Sequence, residues 1–456
     1  MIASILSTAF VAAIPFRGVV EGFYGRPWGT EGRLSMIEFM GERDLNTFVY
    51  GPKDDPYHHA RWREPYPAEQ MADFSKVLAA AQRNRVDFYW AIHLGGAMAK
   101  EGEKNAADWK TLFAKLEFMY AGGFRAFAIF FDDFGDSDAK FHAEVCNRVI
   151  AEFLSKKGDC APLLVCPHDY WTIGKPYQKT IGELLDPSAN IMWTGRGICC
   201  DISAKDISEM TAIFRRRPFV WWNWPVNDYC RKKVLLGRLY GLAPADYAGI
   251  VINPMENCEA NKISVHSFAE WAKDPEKFDS VRTWEESFAK LYSDSEVARA
   301  MRVFAEHNAD PDKNSHNFRR EESASAKGVT DPNRLKALFT EVADACDVLL
   351  AKLPKENPRL YWELEGWIRD ERLLMSEGLA ALELGRTSDA KARARLIDEI
   401  AMLRGRRAVN GDRHIVKFAA ATFKADRRNQ VRPEASSSVL SPLVLELVMK
   451  ELEKEN

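Results

Sequence analysis

The chain has 456 residues, 46% of them hydrophobic and 28% charged, with a net charge of -3 at pH 7 and a pI near 6.4. That balance is ordinary for a soluble globular protein, and the length suffices for one large domain of roughly 250 residues plus a smaller unit. It offers no basic footprint for nucleic acid and no apolar run of membrane-spanning length.

The chain opens with MIASILSTAFVAAIPF, a short apolar core with no Lys or Arg before it. That is a poor secretory signal, and a cleaved leader is the competing reading. The eight cysteines form no CxxC and no spaced metal pair with the nine histidines. They read as reduced thiols in a reducing, cytoplasmic compartment, with secretion expected only if the leader reading holds.

From residue 16 to about 272, short β-rich apolar runs alternate with longer amphipathic stretches. The expected strands cover 17–22, 46–50, 87–93, 125–133, 162–167, 190–194, 217–223 and 248–253. Helical spacing appears between them at 68–83, 106–120, 140–154, 205–215 and 228–240. Eight strands alternating with helices over this length predict a (β/α)8 TIM barrel over residues 1–272, ahead of an open doubly wound sheet. No GxGxxG or Walker sequence follows a strand, which removes the usual sign of open-sheet nucleotide binders.

The fourth strand, within RAFAIFFDDFGDSD (125–138), ends abruptly at Asp132 and Asp133. A buried strand ending in two carboxylates is costly unless they meet an open mouth where something uses them. Adjacent strand residues point to opposite faces, so one Asp must leave the strand as the other closes it. Two carboxyls near one ligand but aimed at different atoms suit acid/base chemistry, since mutual repulsion helps keep one protonated. The plain alternative is a solvated turn in which Asp132, Asp133, Asp136 and Asp138 cap the next helix. A calcium loop is a weaker rival, because the EF-hand glycine and ligand alternation are missing.

Barrel enzymes place their chemistry at the C-terminal ends of the strands. Here those ends read EGFYG, GPKDD, His93, the Asp pair, PHDYW, WTG, WWNWPVNDY and NPMEN. Singly each has a bland reading: Lys53 as a surface charge, Tyr170 as a core ring, Asn253 as a turn former before Pro254. Together, aromatics beside amides and carboxylates suit a sugar, whose faces stack on rings while its hydroxyls need fixed hydrogen-bond partners.

After about residue 273 strand signals stop, and an α-helical C-terminal domain is expected over 273–456. Asp331-Pro332 caps a helix carrying Leu335, Leu338, Phe339, Val342, Cys346, Leu349, Leu350 and Leu353. Asn357-Pro358 opens a second with Tyr361, Leu364, Ile368, Met375 and Leu382 inward. Ser388 begins a third, and Ser441-Pro442 a short last one through Leu452. These stripes predict a bundle, with 308–330 and 426–438 as loops. Exposed apolar stripes on it would give a homodimer surface.

GVVEGFYGRPW (18–28), YGPKDDPYHHARWREPYP (50–67), FDD (131–133), WWNWPVNDY (221–229) and INPMENCEANK (252–262) together resemble the family 84 glycoside hydrolases, the O-GlcNAcases and related β-N-acetylglucosaminidases. The likeness runs along the barrel almost end to end and in order; the helical part matches more loosely. It implies that Asp132 orients and polarises the N–H of a 2-acetamido group while Asp133 serves as general acid, then general base. Gly22 and Lys53 would contact sugar hydroxyls, Tyr170 would bond near the acetamido or anomeric oxygen, and Asn223 would hold the sugar and intermediate. Asp228 and Asn253 would take the 4- and 6-hydroxyls, and Trp193, Thr194 and Trp222 would wall the acetamido pocket. The PHDYW around Tyr170 departs from the commoner form of that segment.

The resemblance further implies a retaining β-N-acetylglucosaminidase acting on O-GlcNAc of glycoproteins or another β-GlcNAc conjugate. The acetamido oxygen would attack C1 to give an oxazoline, without an enzyme nucleophile, metal or organic cofactor. Two alternatives stay open: a barrel glycosidase with a covalent glycosyl-enzyme, and a non-catalytic glycan-binding protein.

Overall fold

The structure, a computed structural model, describes residues 14–133, 135, 137–309, 325–414, 416–417 and 430–455. The N-terminal stretch 1–13, Asp136, and most of the expected loop at 308–330 therefore lie outside the described residues, as do 426–429.

Eight strands close into a parallel barrel in chain order, β8 pairing back onto β1. They are β1 (Phe16–Glu21), β2 (Thr47–Tyr50), β3 (Asp87–His93), β4 (Ala126–Phe130), β5 (Leu164–Cys166), β6 (Asn190–Trp193), β7 (Phe219–Trp222) and β8 (Gly249–Ile252). Each matches one of the eight expected runs. Nearly every strand residue is buried, as befits strands covered on both faces. The alternation sorts them cleanly. Val20, Val49, Ala91, Phe130, Met192 and Trp221 belong to the barrel interior. Their neighbours Val19, Phe48, Trp90, Ile129, Trp193 and Trp222 belong to the layer between sheet and helices.

The surrounding helices are α1 (Thr30–Gly41), α2 (Ala68–Arg83), α3 (Gly102–Ala121), α4 (Ala139–Val149, continuing through a π turn at Ile150–Leu154), α5 (Pro176–Leu184), α6 (Ala204–Phe214) and α7 (Lys262–Lys273). The helix expected over 228–240 is not there. Its three- and four-residue apolar spacing is real, but the backbone finds tertiary partners: Leu236 N–H donates to Asn308 O at 2.8 Å and Leu236 O accepts from Trp284 Nε1 at 2.8 Å. Lys233 O accepts from Asn227 Nδ2, also at 2.8 Å. With its polar backbone satisfied and Val234, Leu235 and Leu236 sunk into the second core, the segment stays irregular.

That second core is helical: α8 (Ser280–Leu291), α9 (Ser295–His307), α10 (Pro332–Glu356), α11 (Pro358–Leu384), α12 (Ala390–Arg413) and α13 (Leu440–Leu452). Asp331 accepts from Arg334 N–H and Asn357 from Leu360 N–H, so both expected caps form. The stripe Leu335, Phe339, Val342, Cys346, Leu349 and Leu353 is buried, with Leu338 and Leu350 at its edge. A two-residue antiparallel ladder, Val416–Lys417 with Gln430–Val431, is a strand pairing that the sequence did not signal. The bundle is bonded to the barrel rim, not merely adjacent to it. The Glu363 carboxylate accepts the backbone N–H groups of Glu259 and Ala260, each at 3.0 Å, and Trp367 Nε1 donates to Lys232 O at 2.7 Å. Among the described residues no helix is long and apolar enough to cross a membrane.

Candidate active site

The interior parity of β4 runs through Phe130 to Asp132, so Asp132 closes the strand pointing into the barrel mouth, while Phe131 faces outward and stacks on His142 at 3.9 Å. Asp133 then leaves the strand with φ of 61°, a left-handed conformation rare for a residue with a Cβ. The two carboxyls diverge as expected, and their surroundings differ. Asp132 is 4% exposed; its Oδ2 holds the Lys53 ammonium, and its Oδ1 has no hydrogen-bond partner, with His93 Nε2 3.4 Å away. Burial opposes its ionisation, but Lys53 and His93 outweigh burial and keep Asp132 well below the usual carboxylate range.

Asp133 is more open, its side chain 27% exposed. The hydroxyls of Tyr24 and Tyr170 donate to it from opposite sides, at 2.6 Å to Oδ2 and 2.7 Å to Oδ1. Burial, then the charge of Asp133, raises the pKa of both phenols, so both remain donors. Asp138, by contrast, caps α4 by accepting from Phe141 N–H, so the plain reading of the acidic run holds for that residue. Asp136 lies outside the described residues.

Lys53, three residues past the end of β2, is buried among the rings of Tyr24, Phe130 and Trp221, each 5.8–5.9 Å away. Burial works against its charge, and Asp132 and Asp133 more than restore it. Asp228, in the loop after β7, accepts from Tyr24 N–H at 3.0 Å; burial raises its pKa against the pull of that bond and of Arg231. Asn223 Oδ1 accepts from both Trp221 Nε1 and Asn253 Nδ2 at 2.9 Å, and its Nδ2 donates to Ile198 O at 2.8 Å. Asn253 Oδ1 is buried without a partner, a second acceptor available to a ligand. At Gly22 a Cβ would stand 2.2 Å from the Trp221 ring, so only glycine lets the first strand pass that indole. Thr194 continues the interior parity of β6 and bonds the Tyr170 segment, its N–H on Tyr170 O at 2.9 Å.

Lys53 and Tyr170 thus bond the Asp pair directly, while Asp228, Asn223, Asn253, Thr194 and Gly22 are tied in through Tyr24, Trp221 and Tyr170. Trp193 and Trp222 are not. Both are fully buried in the outward layer, where Trp193 Nε1 donates to Thr172 O, Trp222 Nε1 to Cys200 O, and Trp222 stacks on Trp224. The indole at the site is Trp221, 5.4 Å from Phe130. Strand parity signals it, because Trp221 shares a face with Asn223 and Trp222 cannot. Tyr24 and His93 are further site residues that the sequence reading left unassigned. Both stand inside the strand-end segments, but their partners come from another strand, Asp133 after β4 for Tyr24 and Asp132 after the neighbouring β4 for His93.

Between the rim segments that follow β1 and β8 and the start of α11 lies a cleft of about 510 Å³, lined by Arg26, Trp28, Glu256, Glu259, Arg359 and Trp362. Arg26 lies 4.7 Å over the Trp362 ring, which is 63% exposed. Among the described residues no three of His, Cys, Asp and Glu gather as a metal-holding group.

The family model for beta-N-acetylglucosaminidase matches residues 17–306. The Protein O-GlcNAcases of Rattus norvegicus and Mus musculus are each 33% identical to the chain over 275 residues, 56% of this chain and 30% of theirs. The chain therefore matches under a third of the length of those curated relatives. Among solved structures, CpGH84B superposes with a TM-score of 0.80 at 28% identity, covering 95% of this chain and 77% of that one. CpGH84D gives 0.82 at 26%, covering 96% and 75%. An O-GlcNAc hydrolase of Thermobaculum terrenum, 22% identical, shares the fold at 0.76, covering 96% and 94%.

Proposed function

Because the chain belongs to the β-N-acetylglucosaminidase family, the family 84 glycoside hydrolases, we propose that it is a retaining enzyme that removes terminal β-linked GlcNAc, from Ser or Thr of glycoproteins, through an oxazoline. The observation that carries the reading is the unlike treatment of two adjacent carboxyls. Asp132 is buried, ion-paired and ionised, with one oxygen left to accept a hydrogen bond. Asp133 sits at the opening between two tyrosine hydroxyls.

In the first step the acetamido carbonyl oxygen forms a bond to C1 as the bond from C1 to the leaving oxygen breaks. Asp133 gives its proton to that oxygen. Positive charge developing on the acetamido nitrogen is met by Asp132, which accepts its N–H and relieves the charge. In the second step water adds to C1 as the C1–O bond of the oxazoline breaks, the electron pair of that bond returning to the acetamido oxygen to restore its carbonyl, and Asp133 takes the water's proton. Both bonds at C1 form on opposite faces in turn, so the configuration is retained. Asp132 is poorly placed to be a covalent nucleophile, since its Oδ2 is taken up by Lys53 inside the barrel.

The test is to follow a β-GlcNAc glycopeptide by NMR while probing for adducts by mass spectrometry. The reading expects the β-anomer to appear first, inhibition by a GlcNAc-derived thiazoline, and no adduct from a 2-deoxy-2-fluoro glycoside. A trapped glycosyl-enzyme, or the α-anomer as first product, contradicts it.

A further inference from the structure

His93 is the last residue of β3, wholly buried on the interior face with Tyr89 and Ala91. Its Nε2 lies 2.5 Å from the main-chain oxygen of Asp132 and 3.4 Å from the Oδ1 of the same residue. A carbonyl oxygen only accepts, so Nε2 carries the proton and donates. The neighbouring rungs are ordinary strand pairs: Leu94 N–H on Phe130 O and Phe131 N–H on Cys166 O, each at 2.9 Å. At Asp132 the ladder has run out, and the imidazole takes the place of the next strand's N–H.

The carbonyl it holds belongs to the peptide that links Asp132 to Asp133. The plane of that peptide fixes where the Asp132 side chain leaves the strand and how the chain enters the left-handed φ of 61° at Asp133. One N–H donor therefore sits at the pivot between two carboxyls that must aim at different atoms. The ring is itself held in place, with His59 4.6 Å and His58 6.0 Å away, both near edge-on, and His58 Nδ1 donating to Ala91 O at 2.7 Å. Lys53 completes the enclosure from the other side of Asp132.

We propose that His93 is the positioning residue of the reaction: its Nε2–H, held on the main-chain oxygen of Asp132, fixes the peptide from which Asp132 and Asp133 diverge. The inference rests on the roles proposed above for the two carboxyls. It differs from a packing role because it needs a donor at one point, not a ring.

His93→Phe keeps the ring and removes the donor, and His93→Gln restores an N–H close to the Nε2 position. Hydrolysis of aryl β-GlcNAc substrates by the folded full chain should show kcat lowered roughly 10- to 100-fold in His93→Phe, since misplacing reacting groups by about 1 Å can cost on the order of 10²-fold. KM should change by less than about threefold, thiazoline affinity should fall with kcat, and His93→Gln should recover most of the loss. The proposal is overturned if His93→Phe keeps wild-type kcat, or if a folded His93→Gln is as impaired as His93→Phe. Should His93→Phe fail to fold, the activity of His93→Gln alone decides: near wild type supports the donor role, and a full loss in a folded protein overturns it. Asp132→Asn separates the two levels of inference. Full activity in that variant removes the role of Asp132 itself, whereas an inactive Asp132→Asn beside an intact His93→Phe removes only the role of His93.

Discussion

Replacing Lys53 by Met would leave the Asp132 carboxylate alone in the barrel mouth. The ion pair is almost sealed, its two side chains 4% and 6% exposed. Removing one partner of a buried pair costs roughly 3–5 kcal/mol, because the remaining charge is uncompensated. At 1.36 kcal/mol per pKa unit, that is on the order of two to four units at Asp132. The sign follows from the causes: burial raises the Asp132 pKa, and Lys53 and His93 lower it, leaving it depressed. In the wild type, stability from ionised Asp132 is present above the unfolded carboxylate value and lost only as pH falls through the depressed folded value, so it is constant from pH 5 to 8. In Lys53→Met that counterweight is lost and the folded pKa rises toward the unfolded value, while His93 still holds it down. Asp132 is then still ionised in both states above pH 5, so the uncompensated charge lowers stability by the same amount throughout pH 5 to 8. The assay is kcat/KM for an aryl β-GlcNAc substrate across pH 5 to 8, with Tm measured in the same buffers. The variant should show a Tm lowered by a similar amount throughout pH 5 to 8, and a reduced kcat/KM whose pH profile keeps its shape in that window. An unchanged Tm, or a Tm that falls as pH rises from 5 to 8, would refute the reasoning.

Asp228→Ala should weaken GlcNAc-type inhibitors by up to roughly 10⁴-fold, as for sites whose buried polar groups lose a hydroxyl partner, and calorimetric titration checks it; unchanged affinity would remove Asp228 from the site. Gly22→Ala would drive a methyl into the Trp221 ring. Overpacking of that kind costs roughly 1–3 kcal/mol, so Tm should drop, and inhibitor affinity with it because Trp221 braces Asn223. Retained Tm and affinity would show that the indole moves aside freely.

The barrel was legible because each strand is short, apolar and bounded, and because its rim residues cluster in the sequence. The caps at Asp331 and Asn357 were legible because they are local chemistry, one side chain bonding an N–H three residues on. The segment 228–240 misled for the opposite reason. Its spacing is helical, yet Asn308 and Trp284, distant in sequence, supply the partners that keep it irregular. At the site, Asp132, Asp133, Lys53 and Asn223 could be read from motif and resemblance. Trp221 rather than Trp222 was open to a parity argument, since Asn223 fixes which face matters. Tyr24 and His93 were beyond reach, because nothing local in EGFYG or at the end of a strand says that a hydroxyl will meet Asp133 or an imidazole the carbonyl of Asp132.

The central claim, that the adjacent carboxyls divide the work, is tested most directly by the leaving-group dependence of their two alanine variants. General acid assistance contributes roughly 10² to 10⁴-fold and is least needed for an acidic phenol. Asp133→Ala should therefore hydrolyse an aryl β-GlcNAc of a very acidic phenol far better than a glycopeptide, giving a steep dependence. Asp132→Ala, with the acetamido group neither oriented nor polarised, should slow every substrate by a similar factor. A flat dependence for Asp133→Ala with a steep one for Asp132→Ala would reverse the assignment, and full activity in both would reduce the pair to a turn at the end of β4.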